Sequence, residues 1–330
     1  MKKCLRLVAS TLLVMTLIVT LGAPAYGWNN RGHMAVAFIA YRNLTPQKRS
    51  RADALVRLNP NFNAWQSLIP QNTPAAARRR MLFMIAATWP DQIKDNDGVH
   101  HDDGPDGGNR PPDDGTAANN TGYGDTARHK YWHFIDRPFT QDGTPLEQPP
   151  APNAETQIAA FRAVLNSNRP DALKSYDLVW LLHLVGDVHQ PLHAAARFSA
   201  DDADGGGDDG GNEVFVCDPG PGCPNRVRLH GFWDGLFGGG LSLNPVPAVT
   251  LGGSLPAANP GMAADLNVDH WLTESFDLAR DTVYKNPPIG LGDGPFRVTQ
   301  AYRNTARAVA RRRVALAGAR LANILNQELR

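Results

Sequence analysis

The segment from Asp171 to His193 constrains the fold of this chain more than any other. It is almost continuously apolar through Val188, so it predicts a helix that is buried on most of its surface. His183 and Asp187 interrupt it at a spacing of four residues, which places both side chains on one face of a helix. Burying them is costly unless they hydrogen-bond to each other or bind a metal ion. This segment alone leaves both alternatives open.

A second pair of the same kind follows further along the chain. His230 and Asp234 are again four residues apart, in the aromatic-rich sequence HGFWD. Imidazole nitrogens and carboxylate oxygens are donors that zinc favours in catalytic sites. Together with His193, the two pairs offer more donors than one tetrahedral zinc ion can use. The sequence therefore predicts a centre with several metal ions.

Further candidate ligands lie upstream. Asp91 closes a predicted helix, and His133 lies among apolar neighbours in the sequence YWHFID. A single histidine of this kind is more often a hydrogen-bonded core residue, so neither is compelling alone. Trp28 and His33 are the remaining candidates, provided that Trp28 becomes the N-terminus. A free α-amino group has a pKa of about 8 and can chelate a metal ion together with its own carbonyl oxygen.

Residues 1–27 are predicted to be a signal peptide. Basic residues precede an apolar run from Leu7 to Leu21, and small residues end the segment at Gly27. The alternative is a membrane anchor, but the run of about 15 residues is shorter than the ~20 that a spanning helix needs. Cleavage would leave residues 28–330 free of the membrane, secreted or periplasmic, with Trp28 at the N-terminus.

The chain that remains after cleavage would be almost neutral. The whole sequence has 33 Lys and Arg residues and 32 Asp and Glu residues, and three of the basic residues lie in residues 1–27. The formal charge of residues 28–330 is therefore −2. Bulk charge thus argues neither for nor against a nucleic-acid partner, and an anionic substrate would need a local binding site.

Two cysteines, Cys217 and Cys223, remain in residues 28–330. An even pair six residues apart in an exported protein predicts a disulfide that closes a small loop. The alternative is a two-cysteine metal clip, but no histidine or third cysteine lies inside that loop.

Most of the other periodic segments are helical. Apolar spacing and capping residues predict helices over residues 31–44, 45–58, 74–90, 153–167, 171–188, 263–284 and 296–329. Strand signals are limited to residues 212–217 and 226–229, which would form a hairpin closed by the disulfide. Loops are predicted over residues 95–128, 199–211 and 238–262. We expect a mostly α protein, a single-domain helical bundle over residues 28–330 with one small β-hairpin.

As a set, these motifs resemble the trinuclear-zinc single-strand nucleases, the family of the fungal nucleases P-one and S-one. The resemblance spans almost all of residues 28–330 and keeps every zinc-ligand position in the same order. It extends to Glu274 and Ser275 in the sequence WLTES and to residues 317–326. The implied fold is the helical bundle shared by these nucleases and the zinc phospholipases C.

The resemblance implies three Zn²⁺ ions and a ligand set for each. The first ion would be held by Asp91, His133, His183 and Asp187. The second would be held by His33, the shared Asp187, and the amine and carbonyl of Trp28. The third would be held by His193, His230 and Asp234.

The resemblance also implies a substrate cleft. Phe134 and Asp136 match the residues that stack on and hydrogen-bond to a splayed base, and Asn212 matches a residue that lines the same cleft. Lys94 is a departure, because the family members carry an arginine there to steady the phosphoryl group. A lysine supplies the charge without the bidentate fork.

Two further departures concern length. The segments between Asp91 and His133 and between His193 and Gly210 are longer than in the fungal enzymes and are acidic. If they overhang the cleft, they would repel polyanions, which would restrict the size of the substrate.

The implied activity is hydrolysis of single-stranded DNA and RNA to 5′-nucleotides by a monomer, with 3′-nucleotidase activity as a further expectation. Asp91, Lys94 and Asp187 would act at the reaction centre, where water activated by zinc attacks phosphorus. A base must leave the duplex to stack on Phe134, which favours single strands.

Two alternatives remain. A zinc phospholipase C would share the metal scaffold, but its first histidine lies further from the N-terminus and its last carboxylate ligand is Glu where this chain has Asp234. An exported zinc-binding protein without turnover is suggested by His100, His101 and the loops rich in Asp and Gly. The placement of the candidate ligands in apolar helices favours a fixed centre over such a zinc buffer.

Overall fold

The computed structural model describes residues 28–94, 97–201, 207–285 and 287–330. Within them the protein is mostly α, as predicted. The helices are α1 (Asn30–Asn43), α2 (Pro46–Val56), α3 (Phe62–Ser67), α4 (Ala75–Ala86), α5 (Trp89–Lys94), α6 (Pro105–Gly108), α7 (Ala154–Leu165), α8 (Asp171–Asp187), α9 (Leu229–Asp234), α10 (Val246–Ser254), α11 (Pro260–Ala264), α12 (Val268–Leu278) and α13 (Gln300–Glu328). The strands are β1 (Pro138–Thr140), β2 (Ala196–Phe198), β3 (Phe215–Cys217), β4 (Val227–Arg228) and β5 (Phe296–Arg297). The predicted signal peptide, residues 1–27, lies outside the described residues.

Helix α8 is the centre of the fold. Every residue from Lys174 to Asp187 is buried, and the helix packs against α1, α2, α7 and α13. The prediction of a helix buried on most of its surface is therefore confirmed. None of the described helices is long and apolar enough to cross a membrane.

Capping residues set the helix starts that the sequence predicted. The Thr45 hydroxyl accepts a hydrogen bond from the Lys48 amide, and Pro46 occupies the first turn of α2. Asn153 caps α7 and forms a capping box with Thr156. These side chains satisfy backbone amides that have no partner inside the helix.

The two helices that carry the His–Asp pairs belong to different hydrophobic clusters. Leu184 and Val185 of α8 lie in the larger cluster, which also includes the buried faces of α1 and α4. Leu229 and Trp233 of α9 lie in the second cluster, around β3 and the N-terminal half of α13. Long-range packing is therefore required to bring the two pairs together.

The predicted hairpin is present but shorter. Strands β3 and β4 pair antiparallel, with Val216 opposite Val227, and the Cys217–Cys223 disulfide closes the connection. Strand β5 adds a parallel pairing between Val216 and Phe296. The prediction of helix from residue 296 was wrong, because Phe296 and Arg297 join the sheet and Thr299 caps α13. The parallel pair β1–β2 was not predicted either.

Three other boundaries differ from the prediction. Residues 74–90 form the end of a loop, α4 and the start of α5, so Asp91 lies inside α5. Residues 263–284 contain a break between α11 and α12, where Asn267 caps α12, and a π-helical turn at Ala279–Val283. The predicted loop 238–262 contains α10 and the start of α11, where Asn259 is the cap. Asn259 followed by Pro260 is a helix-start signal that the sequence contained.

Candidate metal centre

The structure brings together the histidine and aspartate side chains that were predicted as metal ligands, and all of them are buried. In the described part of the chain, three groups of side chains each place their ligand atoms within 4.8 Å of one another. The groups are His33, His183 and Asp187; Asp91, His133 and His183; and His193, His230 and Asp234.

Asp187 joins the first two groups. Its Oδ2 lies 3.0 Å from Nδ1 of His133 and 3.2 Å from Nε2 of His183. Its Oδ1 lies 3.4 Å from Nε2 of His33. Asp91 approaches the same histidines, with Oδ1 3.5 Å from Nε2 of His183. The two oxygens of Asp187 could therefore serve two metal ions.

A close approach of two helices places His33 in this cluster. A Cβ atom at Gly186 would lie 2.8 Å from Nδ1 of His33, so glycine leaves room for the imidazole against α8. The rings of His33 and His183 stack with their centroids 3.8 Å apart. Glycine at position 186 thus lets α1 deliver a donor to the end of α8.

In the group of His193, His230 and Asp234, hydrogen bonds to backbone carbonyls fix the orientation of both imidazole rings. Nδ1 of His193 donates to the His133 carbonyl and Nδ1 of His230 donates to the Gly210 carbonyl, each at 2.8 Å. Their Nε2 atoms lie 3.1 Å apart. Because a carbonyl can only accept, both protons are on Nδ1 in the neutral rings, and two lone pairs face each other. A cation held by these atoms and by Asp234 would remove that repulsion.

Several buried ligand atoms in the first two groups form no hydrogen bond. Nδ1 of His33 is one of them, and Nε2 of His33 and Oδ1 of Asp187 face each other at 3.4 Å without forming a hydrogen bond. Buried polar atoms are rarely left in this state unless they bind an ion or a water molecule. Nδ1 of His183 donates to the Ala87 carbonyl at 2.8 Å, which directs its Nε2 to the cluster. A set of nitrogen and oxygen donors oriented in this way fits zinc.

The two central aspartates are ionised. Burial alone would raise the pKa of Asp91, but Lys94 and His183 hold it below its ordinary value. The Lys94 ammonium lies 2.7 Å from Oδ1 of Asp91. Burial would likewise raise the pKa of Asp187, but His183 and His193 hold it well below its ordinary value. Both carboxylates therefore carry the charge that a metal ligand needs.

The histidines differ in charge. Burial, followed by the positive charge of Lys94, lowers the pKa of His133 to about 3. Burial and the nearby His193 lower the pKa of His230 to about 3. Burial also disfavours a charged His183, but Asp187 and Asp91 outweigh it and raise its pKa to about 10. A metal ion at the cluster would compete with the proton on His183.

Asp234 differs from the other two carboxylates. Burial, with the charges of Asp91 and Asp187, raises its pKa well above the ordinary value. Its Oδ1 accepts a hydrogen bond from Nε2 of Gln190 at 2.8 Å. The sequence reasoning missed Gln190, although its position between Asp187 and His193 was a signal.

Trp28 lies at the start of the described chain, beside these groups. Its side chain is buried, and its ring lies 5.5 Å from that of Phe237. A Cβ atom at Gly32 would lie 2.5 Å from Cβ of Trp28, so this glycine lets the tryptophan fold back over α1. The Asn29 amide donates to the Asp234 carbonyl at 3.3 Å. The backbone that follows Trp28 is thereby tied to the end of α9.

A cavity of about 650 Å³ opens next to the ligand groups. Its wall includes Lys94, His133 and His230, and it also includes Phe134, Asp136 and Asn212, the three residues predicted to bind a base. Burial, followed by the charges of Asp209 and Asp208, raises the pKa of Asp136 well above its ordinary value. The predicted substrate residues and members of the ligand groups thus share one cavity.

Basic residues of the cavity wall were not predicted. They are Arg110, Arg128, Lys130 and Arg228. The longer segment between Asp91 and His133 does line the cavity, with residues that include Asp106, Arg110 and Arg128. Asp102 of the same segment is paired with Arg128 at 3.1 Å and with Lys130 at 2.8 Å. Part of the negative charge of this segment is therefore neutralised, and it lines the cavity with Arg110 and Arg128 as well as with Asp106.

The sequence profile of the family described as S1/P1 Nuclease matches residues 28–330. No curated protein matches the chain. The profile match covers α1, α5, α8 and α9, the helices that carry most of the candidate ligands.

Proposed function

The chain belongs to the S1/P1 nuclease family, and we propose on this basis that it is a secreted, zinc-dependent endonuclease of single-stranded DNA and RNA. The family itself supports a nuclease, and therefore hydrolysis of phosphodiester bonds. We add to it the metal, the single-strand preference, 5′-nucleotide products, a 3′-nucleotidase activity, export and a monomeric state. The observation that carries the proposal is the shared cavity. Its wall contains His133 and His230 of the ligand groups together with Phe134, Asp136 and Asn212.

We assign three zinc ions to the ligand groups. Asp91, His133, His183 and Asp187 would hold the first; His33, Asp187 and the N-terminal Trp28 the second; and His193, His230 and Asp234 the third. Bound zinc would supply Lewis acidity and a water molecule that ionises near neutral pH. The buried ligand atoms of His33 and Asp187 that form no hydrogen bond support this assignment.

Lys94 is the residue proposed to stabilise the phosphoryl group. Its side chain is almost completely buried, and it borders both Asp91 and the cavity. A fixed positive charge in a site with little water stabilises negative charge that develops in the transition state. Asp91 keeps the ammonium in place through their contact of 2.7 Å.

Phe134 and Asp136 are proposed to hold a base. Phe134 is half-buried in the cavity wall, where one face of its ring could stack on a nucleobase. The raised pKa of Asp136 favours the protonated carboxyl, which would donate a hydrogen bond as well as accept one. A base inside a duplex cannot reach this wall, which supports the preference for single strands. Arg110 and Arg228 add positive charge for the phosphate backbone.

The first experiment tests the N-terminal ligand. Zinc content and nuclease activity are measured for the chain that begins at Trp28 and for the same chain with one glycine before Trp28. We expect the extension to lower the zinc content and to abolish most of the activity, because it moves the amine away. A glycine inserted after Gly115, in an exposed turn, is the control and should change neither. If the extended chain keeps its zinc and its activity, the assignment of Trp28 is wrong.

The second experiment tests the substrate. Single-stranded DNA, duplex DNA, RNA, a 3′-nucleotide and phosphatidylcholine are offered to the zinc-loaded protein, and the products are identified. We expect single strands to be cleaved in preference to duplex, with phosphate left on the 5′ end. Cleavage of phosphatidylcholine without cleavage of DNA would overturn the nuclease in favour of a phospholipase. Zinc binding without any hydrolysis would favour the non-enzymatic alternative.

A further inference from the structure

A polar network that is buried except for Glu274, whose side chain is 25% exposed, lies directly behind the C-terminal end of α8. It consists of Glu274 and Ser275 from α12, Arg313 and Arg320 from α13, and His189, which follows α8. Arg313 is 4% exposed, and Arg320, Ser275 and His189 are 0% exposed. None of these side chains belongs to the ligand groups, and the chemistry proposed above does not use them.

Glu274 holds the two arginines together. Its Oε1 accepts a hydrogen bond from Nη2 of Arg320 at 2.7 Å, and its Oε2 accepts from Nη1 of Arg320 at 2.8 Å. The same Oε2 accepts from Nη1 of Arg313 at 2.6 Å. Two buried guanidinium groups without this carboxylate would be left with uncompensated charge. Glu274 is therefore the centre of the network.

The network ends on the backbone that follows Asp187. Nε of Arg313 donates to the His189 carbonyl at 3.2 Å. The Ser275 hydroxyl donates to the Val188 carbonyl at 2.6 Å, and it accepts from Nη2 of Arg313. The last carbonyls of a helix have no hydrogen-bond partner within it. Cations near this end also interact favourably with the helix dipole. These bonds hold the turn in one position.

His189 adds a second connection to the same turn. Its Nδ1 donates to the Val185 carbonyl at 2.7 Å, so its Nε2 carries the lone pair and accepts from Nη1 of Arg320 at 2.9 Å. Asp187 lies between these anchored residues, and Gln190, which follows them, donates to Asp234. The turn therefore connects Asp187 and, through Gln190, Asp234 to the network.

We propose that Glu274 is a positioning residue for the metal centre, acting through Arg313, Arg320 and Ser275 on the turn that carries Asp187 and Gln190. This inference rests on the metal centre of the proposed function. Outer residues that orient metal ligands typically change metal affinity by about 10–100-fold when they are replaced. Glu274 contacts no ligand itself, so its effect passes through the backbone.

The test compares Glu274→Gln with Glu328→Gln. Glu328 also lies on a two-helix interface, where its Oε1 accepts a hydrogen bond from Nη2 of Arg162 at 2.6 Å. Its hydrogen bonds are to Arg162, which does not belong to the network. Zinc affinity is measured by competition with a chromophoric chelator, below the unfolding temperature of each variant. We expect Glu274→Gln to weaken zinc binding by about 10–100-fold and to lower kcat with little change in KM. Glu328→Gln should reduce thermal stability while zinc affinity stays unchanged.

Ser275→Ala provides a second variant in case Glu274→Gln does not fold. It removes only the hydroxyl that contacts Val188 and Arg313, and we expect zinc affinity to fall by about tenfold. Unchanged zinc affinity in every folded network variant, with zinc bound normally by the parent protein, would overturn the inference alone. A parent protein that binds no zinc would instead overturn the proposed metal centre, and this inference with it. An equal loss of affinity in Glu328→Gln would reduce the effect to general destabilisation and would also overturn it.

Discussion

Oδ1 of Asp187 lies 3.4 Å from Nε2 of His33, while its Oδ2 faces His133 and His183. One carboxylate from α8 thus connects the histidine of α1 with the group that contains Asp91. Asp187 is grouped with His33 and His183 and also contacts His133 of the next group, whereas Asp234 is grouped with His193 and His230. The two aspartates should therefore differ in how many metal ions depend on them.

Replacing these aspartates should change the zinc content by different amounts. We expect Asp187→Asn to lose about two of three zinc ions, because a neutral amide replaces a ligand shared by two sites. Asp234→Asn should lose about one. Zinc is measured by elemental analysis of the folded protein after gel filtration. Equal zinc contents in the two variants would contradict a bridging role for Asp187.

Replacing Lys94 should affect the chemical step. We expect Lys94→Ala to lower kcat by about 10²–10³-fold, since it removes a fixed charge beside the phosphoryl group. Lys94→Arg should retain more activity, because it keeps the charge. Lys130, which lies on the cavity wall and pairs with Asp102, offers a matched comparison. Lys130→Ala should raise KM and leave kcat near the parent value. A kcat of Lys94→Ala equal to that of the parent would exclude the role proposed for Lys94.

Asp136 should act in substrate binding as a neutral group. If its raised pKa keeps the carboxyl protonated at neutral pH, an amide can replace it. We expect KM for single-stranded DNA to stay within about threefold in Asp136→Asn and to rise by at least about tenfold in Asp136→Ala. In the parent, KM should also rise as the pH passes upward through the raised pKa, because the donated hydrogen bond is lost. Steady-state kinetics at several pH values measure both effects.

His230 should make the metal-free protein sensitive to acid. Its pKa is about 3 in the folded protein, whereas an unfolded histidine has a pKa of about 6.5. Between about pH 3 and pH 6.5 only the unfolded chain binds this proton. The contribution of His230 to the free energy of unfolding is therefore complete above about pH 6.5, and it falls as the pH decreases, by up to about 1.4 kcal/mol per pH unit. For His183, whose pKa is raised to about 10, the pH dependence has the opposite sign. Its contribution to the free energy of unfolding is lost as the pH rises from about 6.5 to about 10.

Denaturant unfolding of the metal-free protein at pH 4.5 and pH 6.5 tests this sign. The free energy of unfolding should decrease more steeply toward acid in the parent than in His230→Asn, because the variant has no proton to bind at this position. The same decrease in both proteins would show that other groups control acid stability.

Secondary structure was predictable where a long segment repeats one pattern. Helix α8 and helix α13 extend over enough turns for apolar spacing to identify them, and Thr45 and Asn153 marked the starts of α2 and α7. Strands β1, β2 and β5 contain only two or three residues each. Strands that short show no alternation and are defined by hydrogen bonds to partners far away in the chain.

The sequence by itself determined which residue types are available for the metal centre. The spacing of His183 and Asp187, and of His230 and Asp234, places each pair on one helix face, since that depends only on the helical repeat. The resemblance to the nuclease family implied which donors would share an ion. Only the tertiary structure decided how far apart these donors lie, which nitrogen of His193 faces His230, and that Gln190 and the network around Glu274 contact the ligands and the turn that carries them. The physical reason is that these relations depend on distances and burial between α1, α5, α8, α9, α12 and α13. Such distances arise when separate hydrophobic faces pack, and no local pattern encodes them.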